Sequence, residues 1–108
     1  MLPQRLRLRK SADFVAVLRR GRKVSRRTLI LHALETAEPR FGLVVSRQVG
    51  SAVERNRVKR QLRHGAARLL DPARPMAVVV RALPAAIGPG LIEDLDSAWR
   101  QALEGVRS

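Results

Sequence analysis

The chain contains no cysteine, and aromatic residues make up only 3% of it. Without cysteine it can form neither a disulfide nor a thiolate metal site. No apolar run approaches the roughly 20 residues that a membrane-spanning helix needs, and no signal-peptide core follows the basic N-terminus. We therefore expect a cytoplasmic protein that makes no use of a membrane. Its core has to be built from Leu, Val, Ile and Ala.

Acidic residues are scarce: 9 Asp and Glu stand against 22 Lys and Arg, a net charge of +13. Residues 1–70 hold 18 of these cations and 4 acids, whereas residues 71–108 hold 4 cations and 5 acids. A merely solvated surface would not require that division, and clustered cations are typical of nucleic-acid binders. The two histidines, His32 and His64, have no obvious carboxylate or nucleophile partner. We therefore predict no catalytic residue and no metal ligands in this chain.

The residue pattern predicts one domain over residues 1–108, in the order helix, strand, strand, helix, strand, helix. This order indicates an α/β (α+β) sandwich with a small central sheet and three helices. We expect the second strand to be a hairpin partner of the first, and the valine-rich third strand to be buried on both faces by parallel pairing. The segments are an extended basic arm at 1–10, helices at 11–20, about 50–70 and 91 onward, strands at 28–34, 41–46 and 76–81, and a possible short strand near Val24.

The central helix has two unlike sides. Val58, Leu62, Ala66 and Leu69 fall on one apolar stripe at the helical period. The opposite side carries cations spaced three and four residues apart, which can meet one phosphate backbone together. We predict that this side binds RNA through Asn56, Lys59, Arg60 and Arg63, with Arg57, His64 and Arg68 flanking it.

Other segments offer further candidate contacts. Ser46, Arg47 and Gln48 end a strand just before the helix, where the positive N-terminal end favours phosphate; an ordinary connection is the alternative. Phe14 and His32 can each stack on a base, or belong to the core and its edge. Ten cations between Arg5 and Arg27 face a single acid, Asp13, and we interpret them as a second RNA-binding region.

Residues 46–63 resemble the signature of the bacterial ribonuclease P protein component. That family has a strand ending in Ser-Lys-Lys, then Gly and Ala-Val, then Arg-Asn-Arg-x-Lys-Arg-x-x-Arg. Here the last part reads Arg55-Asn56-Arg57-Val58-Lys59-Arg60-Gln61-Leu62-Arg63. The resemblance implies an α/β sandwich with an unusual left-handed strand–helix–strand crossover. It also implies a protein subunit that assists a catalytic RNA in the Mg²⁺-dependent removal of the 5′ leader from precursor tRNA.

The resemblance also assigns roles to particular residues. It implies contacts to the catalytic RNA from Arg47, Arg55, Asn56, Arg57, Lys59, Arg60 and Arg63, although the helical phase places Arg55 near the docking stripe. It implies contacts to the leader of precursor tRNA from Phe14, Leu18, His32, Ser46 and Gln48. The chain departs from the pattern at Gln48 (usually Lys), Leu18 (commonly aromatic) and His32 (commonly Tyr), so we expect altered leader contacts.

The same resemblance predicts Mg²⁺ held mainly by RNA and no obligate protein partner. An alternative hypothesis is a structural RNA-binding module of ribosomal or RNA-chaperone type. The composition is equally consistent with this alternative. The Arg-Asn-Arg signature does not fit that alternative.

Overall fold

The structure, a computed structural model, describes residues 6–8 and 11–106. Three α-helices and four β-strands follow one another in the order helix, three strands, helix, strand, helix. Their bounds are α1 Ser11–Arg20, β1 Arg22–Ser25, β2 Leu29–Glu35, β3 Arg40–Val44, α2 Ala52–Leu69, β4 Met76–Ala82 and α3 Leu91–Val106. The α+β fold predicted from the sequence is confirmed, and the short strand expected near Val24 is β1.

The strands form one sheet in the order β1-β2-β4-β3. β1 pairs antiparallel with β2, and β2 antiparallel with β4. β3 pairs parallel with β4, with Phe41 opposite Val78 and Leu43 opposite Val80. The chain therefore crosses from β3 through α2 to the adjacent parallel strand. The parallel pairing expected for the valine strand is confirmed, and the hand of the crossover stays a prediction.

The predicted hairpin between β2 and β3 is wrong, because β4 lies between them. Residues 76–80 of β4 are all buried, so this strand needs neighbours on both edges and helices on both faces. The connection from Glu35 to Arg40 has only to span one strand, roughly 10 Å at the usual strand spacing. A polar segment of four residues reaches that far without forming a tight turn.

The two faces of the sheet are covered unequally. One face carries the larger core, where α2 and α3 pack on side chains such as Leu31, Val78 and Phe41. Trp99 of α3 lies in this core, 2% exposed, and stacks on Phe41 with ring centroids 6.2 Å apart. The other face is covered only in part, by α1 and Leu8. The remainder of that face, which includes the half-buried His32 and Ile30, is left open by these elements.

Part of the basic arm follows the edge of the sheet. The Leu8 amide donates to the carbonyl oxygen of Phe41 at 2.8 Å, and Arg7 forms a parallel bridge with Phe41. Arg7 and Leu8 thus lie along the free edge of β3. The remaining residues of the predicted arm lie outside the described part of the chain.

Candidate nucleic-acid interface

Helix α2 is the most cationic element, and its start is fixed by its own side chains. The Ser51 hydroxyl accepts from the Glu54 amide at 3.2 Å, while Glu54 Oε1 accepts from the Ser51 amide at 2.9 Å. This is a capping box, which satisfies two free amides at once. The hydrogen bonds to Ser51 are the largest cause of the lowered pKa of Glu54, which therefore stays ionised. The spacing Ser51-x-x-Glu54 could have been read from the sequence.

The capping box bears on the phosphate site predicted at the start of α2. A helix N-terminus favours an anion, and the Glu54 carboxylate already occupies that position. Ser46, Arg47 and Gln48 are exposed, and Arg47–Val49 form a 3-10 turn between β3 and α2. Their side chains point to solvent from the connection, so a phosphate here would meet the side chains rather than free helix amides. The predicted contacts of these three residues stay predictions.

The apolar stripe of α2 is confirmed as the side that packs on the core of the domain. Val58, Leu62 and Ala66 are each 0% exposed, and Leu69 packs on the same core from a half-buried position. The sequence reading missed Gly65, which is also buried. A Cβ at Gly65 would lie 2.5 Å from Leu95 Cδ2, so this glycine lets α3 approach α2 closely. In the sequence, a glycine next to the apolar stripe of a helix could have indicated this close helix–helix contact.

The predicted RNA-binding residues of α2 divide into two groups. Asn56, Arg57 and Arg60 are exposed, as is His64. Arg55, Lys59 and Arg63 are half-buried and follow one another at intervals of four, so they line one flank of the helix. Arg55 Nε is buried without a hydrogen-bond partner, which agrees with the phase that placed Arg55 near the docking stripe.

The opposite flank of α2 faces α3. Arg68 lies 3.6 Å from Asp96 of α3, an ion pair between partly exposed side chains. Of the described α2 cations, Arg68 alone forms a salt bridge with another element, and Glu54 is committed to the cap. The exposed charges of α2 therefore repel one another until an anion is present. Such a surface suits a polyanion.

A second candidate surface is the uncovered part of the sheet. Lys23, His32 and Val79 are paired across β1, β2 and β4, so their side chains share one face. Ile30 and Arg81 are paired two residues further along and therefore share that face as well. The pKa of His32 is lowered, chiefly by burial and then by the positive charges of Lys23 and Arg81. The sequence did not reveal that Lys23 and Arg81 lie beside His32, because the strand register is needed to place them there.

The surroundings of His32 favour the neutral imidazole over the protonated one. Its Nδ1 is buried and has no hydrogen-bond partner. A protonated ring would bury an N–H with no acceptor, which is costly. The neutral ring therefore leaves Nδ1 bare and carries its hydrogen on Nε2, which can donate to a ligand on the sheet face.

Phe14 and Leu18 border this surface on α1. Phe14 is half-buried and packs on the smaller core, so the core alternative holds for part of its ring. A Cβ at Gly42 would lie 2.5 Å from Phe14 Cζ, which settles why β3 has a glycine there: the ring rests on its backbone. Leu18, one turn away, is 43% exposed.

In the second basic region predicted between Arg5 and Arg27, some cations make contacts within the fold and are therefore not free for RNA. Arg26 donates to Ser97 Oγ at 3.0 Å and to Gln101 Oε1 at 2.7 Å, and Arg27 donates to the Pro89 carbonyl at 2.6 Å. Arg26 fastens the β1–β2 turn to α3, and Arg27 fastens it to the loop just before α3. Thr28 Oγ1 donates to Asp94 Oδ2 at 2.6 Å and reinforces that link. Arg5, Arg9 and Lys10 lie outside the described residues.

Two negative findings concern the residues that the structure describes. None of their helices is long and apolar enough to cross a membrane. Among the same residues, no group of three or more His, Cys, Asp or Glu side chains is placed to hold a metal ion. Three of the described acids make contacts within the fold: Glu54 in the cap of α2, Asp94 with Thr28, and Asp96 with Arg68.

Comparisons with known proteins converge on one family. A family model described as Ribonuclease P matches residues 2–104. The chain is 53% identical over 100 residues to the ribonuclease P protein component of Acidothermus cellulolyticus, covering 86% of this chain and 82% of that protein. It is 49% identical over 113 residues to that of Rhodococcus opacus, covering 95% and 90%.

Solved structures agree in fold. A Staphylococcus aureus RNase P protein mutant with defective mRNA degradation activity gives a TM-score of 0.77 at 23% identity, over 96% of this chain and 90% of that one. The RNase P protein from Thermotoga maritima gives 0.60 at 23% identity, over 91% and 88%. At this identity the likeness establishes the shared architecture.

Proposed function

The chain belongs to the ribonuclease P protein family, and we propose that it serves as the subunit that binds the catalytic RNA through α2 and the 5′ leader of precursor tRNA on the sheet. Family membership rests on a match over residues 2–104. The observation that carries the proposal is the exposed side of α2, where Asn56, Arg57 and Arg60 project from a helix whose opposite stripe packs on the core.

The proposed RNA-subunit surface has a simple electrostatic basis. Guanidinium groups match phosphate oxygens through paired N–H donors. Arg60 with Arg57 on the exposed side, and Arg63 with Lys59 on the flank, can follow a phosphate backbone. Arg55 contributes from the edge of the docking stripe, and Arg47 from the turn before the helix.

The proposed leader surface lies beside α1. Phe14 and Leu18 offer apolar contact, and His32 offers one N–H donor between the cations Lys23 and Arg81. A single-stranded leader can lay bases on the apolar groups and phosphates on the cations. Ser46 and Gln48 extend this contact at the end of β3.

In this proposal the cleavage chemistry lies in the RNA subunit, and the Mg²⁺ ions are held mainly by RNA. The match of residues 2–104 to the ribonuclease P family and the cationic exposed side of α2 support a protein that works by binding RNA. The protein then acts in the cytoplasm by positioning, and it needs no obligate protein partner. Its contribution is tighter binding of the precursor and of the metal ions that the RNA holds.

Reconstitution tests the division of labour. Purified protein, the RNA subunit and their mixture are each given precursor tRNA and Mg²⁺, and release of the leader is measured. We expect cleavage with the RNA subunit, and tighter precursor binding when the protein is added. Cleavage by the protein alone would refute the assignment of the catalytic centre to RNA.

The salt dependence of binding tests the α2 surface. Arg60→Gln and Arg63→Gln should each weaken binding to the RNA subunit and flatten the log–log salt slope by about one unit, the share of one phosphate. Arg100→Gln is the matched control, since Arg100 is an exposed cation of α3 set among Asp96 and Glu104. If the salt slopes of Arg60→Gln and Arg63→Gln equal those of the wild type and of Arg100→Gln, these α2 residues do not meet phosphate.

A further inference from the structure

A groove of about 310 Å³ lies between α2 and α3. Ile92 of α3, which is half-buried, forms part of its apolar floor. Gly65 of α2 also lines the floor. It has no side chain, so Leu95 of α3 packs closely against the helix at this point. The lining residues are Arg60, Gln61, His64, Gly65, Arg68 and Ile92. The volume lies at the lower end of the range for small-molecule sites, which favours a single small group over a folded segment.

The rim of the groove carries the guanidinium groups of Arg60 and Arg68 and the imidazole of His64. Arg60 and His64 are exposed, and neither has a hydrogen-bond or ion-pair partner in the described structure. The nearby acid, Asp96, is neutralised by Arg68 at 3.6 Å. Gln61 adds an exposed amide that can both donate and accept. An apolar floor under a positive rim complements a planar ring joined to a phosphate.

We propose that this groove holds one unpaired nucleotide of the RNA subunit, with the base against Ile92 and Gly65 and the adjoining phosphate at Arg60. The proposal rests on the RNA-binding role of α2 and extends that surface towards α3, because Arg60 belongs to both. A base in a duplex is stacked and cannot enter a recess between two helices. A bulged or looped nucleotide can, and proteins usually read RNA through such bases.

The floor of the groove can be tested with a matched pair of isoleucines. Ile92→Ala removes the apolar contact, whereas Ile87→Ala makes the same change at a 40%-exposed residue in the turn before α3, outside the groove. We expect Ile92→Ala to weaken binding to the RNA subunit about fivefold, the lower end for loss of one base contact. Its salt slope should equal that of the wild type, because no phosphate contact is lost. Ile87→Ala should bind as the wild type does.

The same binding experiment separates this proposal from the wider function. If Arg60→Gln weakens binding with a flatter salt slope while both isoleucine variants bind normally, the α2 surface stands and the groove is overturned. If none of the variants changes binding, the RNA-binding role of α2 fails as well. Unchanged cooperative melting of Ile92→Ala would show that any weakening is not a folding defect.

Methyl NMR on the wild-type chain gives a second readout that needs no substitution. The chain has three isoleucines, at positions 30, 87 and 92, so isoleucine labelling yields three resonances at three separate places. On adding the RNA subunit we expect the Ile92 methyl to shift and the Ile87 methyl to stay. Ile30, on the uncovered sheet face, should respond only when a leader-bearing precursor is added. An Ile92 methyl that does not move in the RNA complex would overturn the groove proposal.

Discussion

Gly42→Ala probes the contact that links the sheet to the proposed leader surface. The added Cβ would lie 2.5 Å from Phe14 Cζ, 2.7 Å from Phe14 Cε1 and 3.2 Å from Leu8 Cβ. Carbon atoms in contact normally sit about 3.5–4.0 Å apart, so the Phe14 ring has to move by about 1 Å. That ring borders the face on which we place the leader. One methyl group should therefore affect both stability and leader binding.

The expected magnitude follows from two opposing effects. Overpacking of a well-filled site costs about 1–3 kcal/mol. Replacing glycine inside a strand returns about 0.5–1 kcal/mol, because the unfolded chain loses freedom. The difference between the two central values is a net destabilisation of about 1.2 kcal/mol. For a chain of this size that lowers the melting temperature by roughly 5–10 °C.

The assay combines thermal unfolding with binding of the reconstituted ribonucleoprotein to two RNAs. Precursor tRNA with its leader should bind more weakly to the Gly42→Ala enzyme, whereas tRNA without a leader should bind as before. Gly88→Ala is the control, because its Cβ would meet only the Ala85 carbonyl oxygen, at an ordinary 3.5 Å. Phe14→Leu in the Gly42→Ala background should recover part of the stability. A Gly42→Ala protein with wild-type melting and leader binding would refute the reasoning.

Two further outcomes follow from the described contacts. Ser51→Ala removes the hydroxyl that accepts from the Glu54 amide and should lower the free energy of unfolding by about 1 kcal/mol, whereas Ser51→Thr keeps a hydroxyl and should lower it less; an unchanged free energy of unfolding for Ser51→Ala in urea would show that the hydroxyl does not cap. The pKa of His32 is lowered in the folded state, so its contribution is present above the ordinary value near 6.5 and is lost as the pH falls through the folded pKa. The stability of the wild type relative to His32→Gln should therefore fall between pH 7.5 and 5, and a constant difference would mean that His32 titrates normally.

Local patterns in the sequence were sufficient for most of the fold. Periodicity located all three helices, and the buried valine run of β4 predicted its parallel neighbour. The pairing of β2 with β3 could not be predicted that way, because a short polar link fits a hairpin and a skipped strand equally well. The strand order is determined by β4. Because both of its faces are buried and both of its edges are paired, it has to lie between β2 and β3. Strand order is a property of the whole sheet and not of the segment that joins two strands.

The candidate site shows the same limit in its chemistry. Helical phase separated the docking stripe from the exposed side of α2, and Arg55 lies between them as the phase indicated. It did not reveal that Lys59 and Arg63 are half-buried on one flank, or that Arg68 reaches Asp96 of α3, since both depend on where the neighbouring elements lie. Likewise, His32 was visible in the sequence, but its single outward N–H donor follows from the buried Nδ1 and from two cations on other strands. If the leader needs that donor, His32→Phe should keep the stacking surface and still bind the leader more weakly.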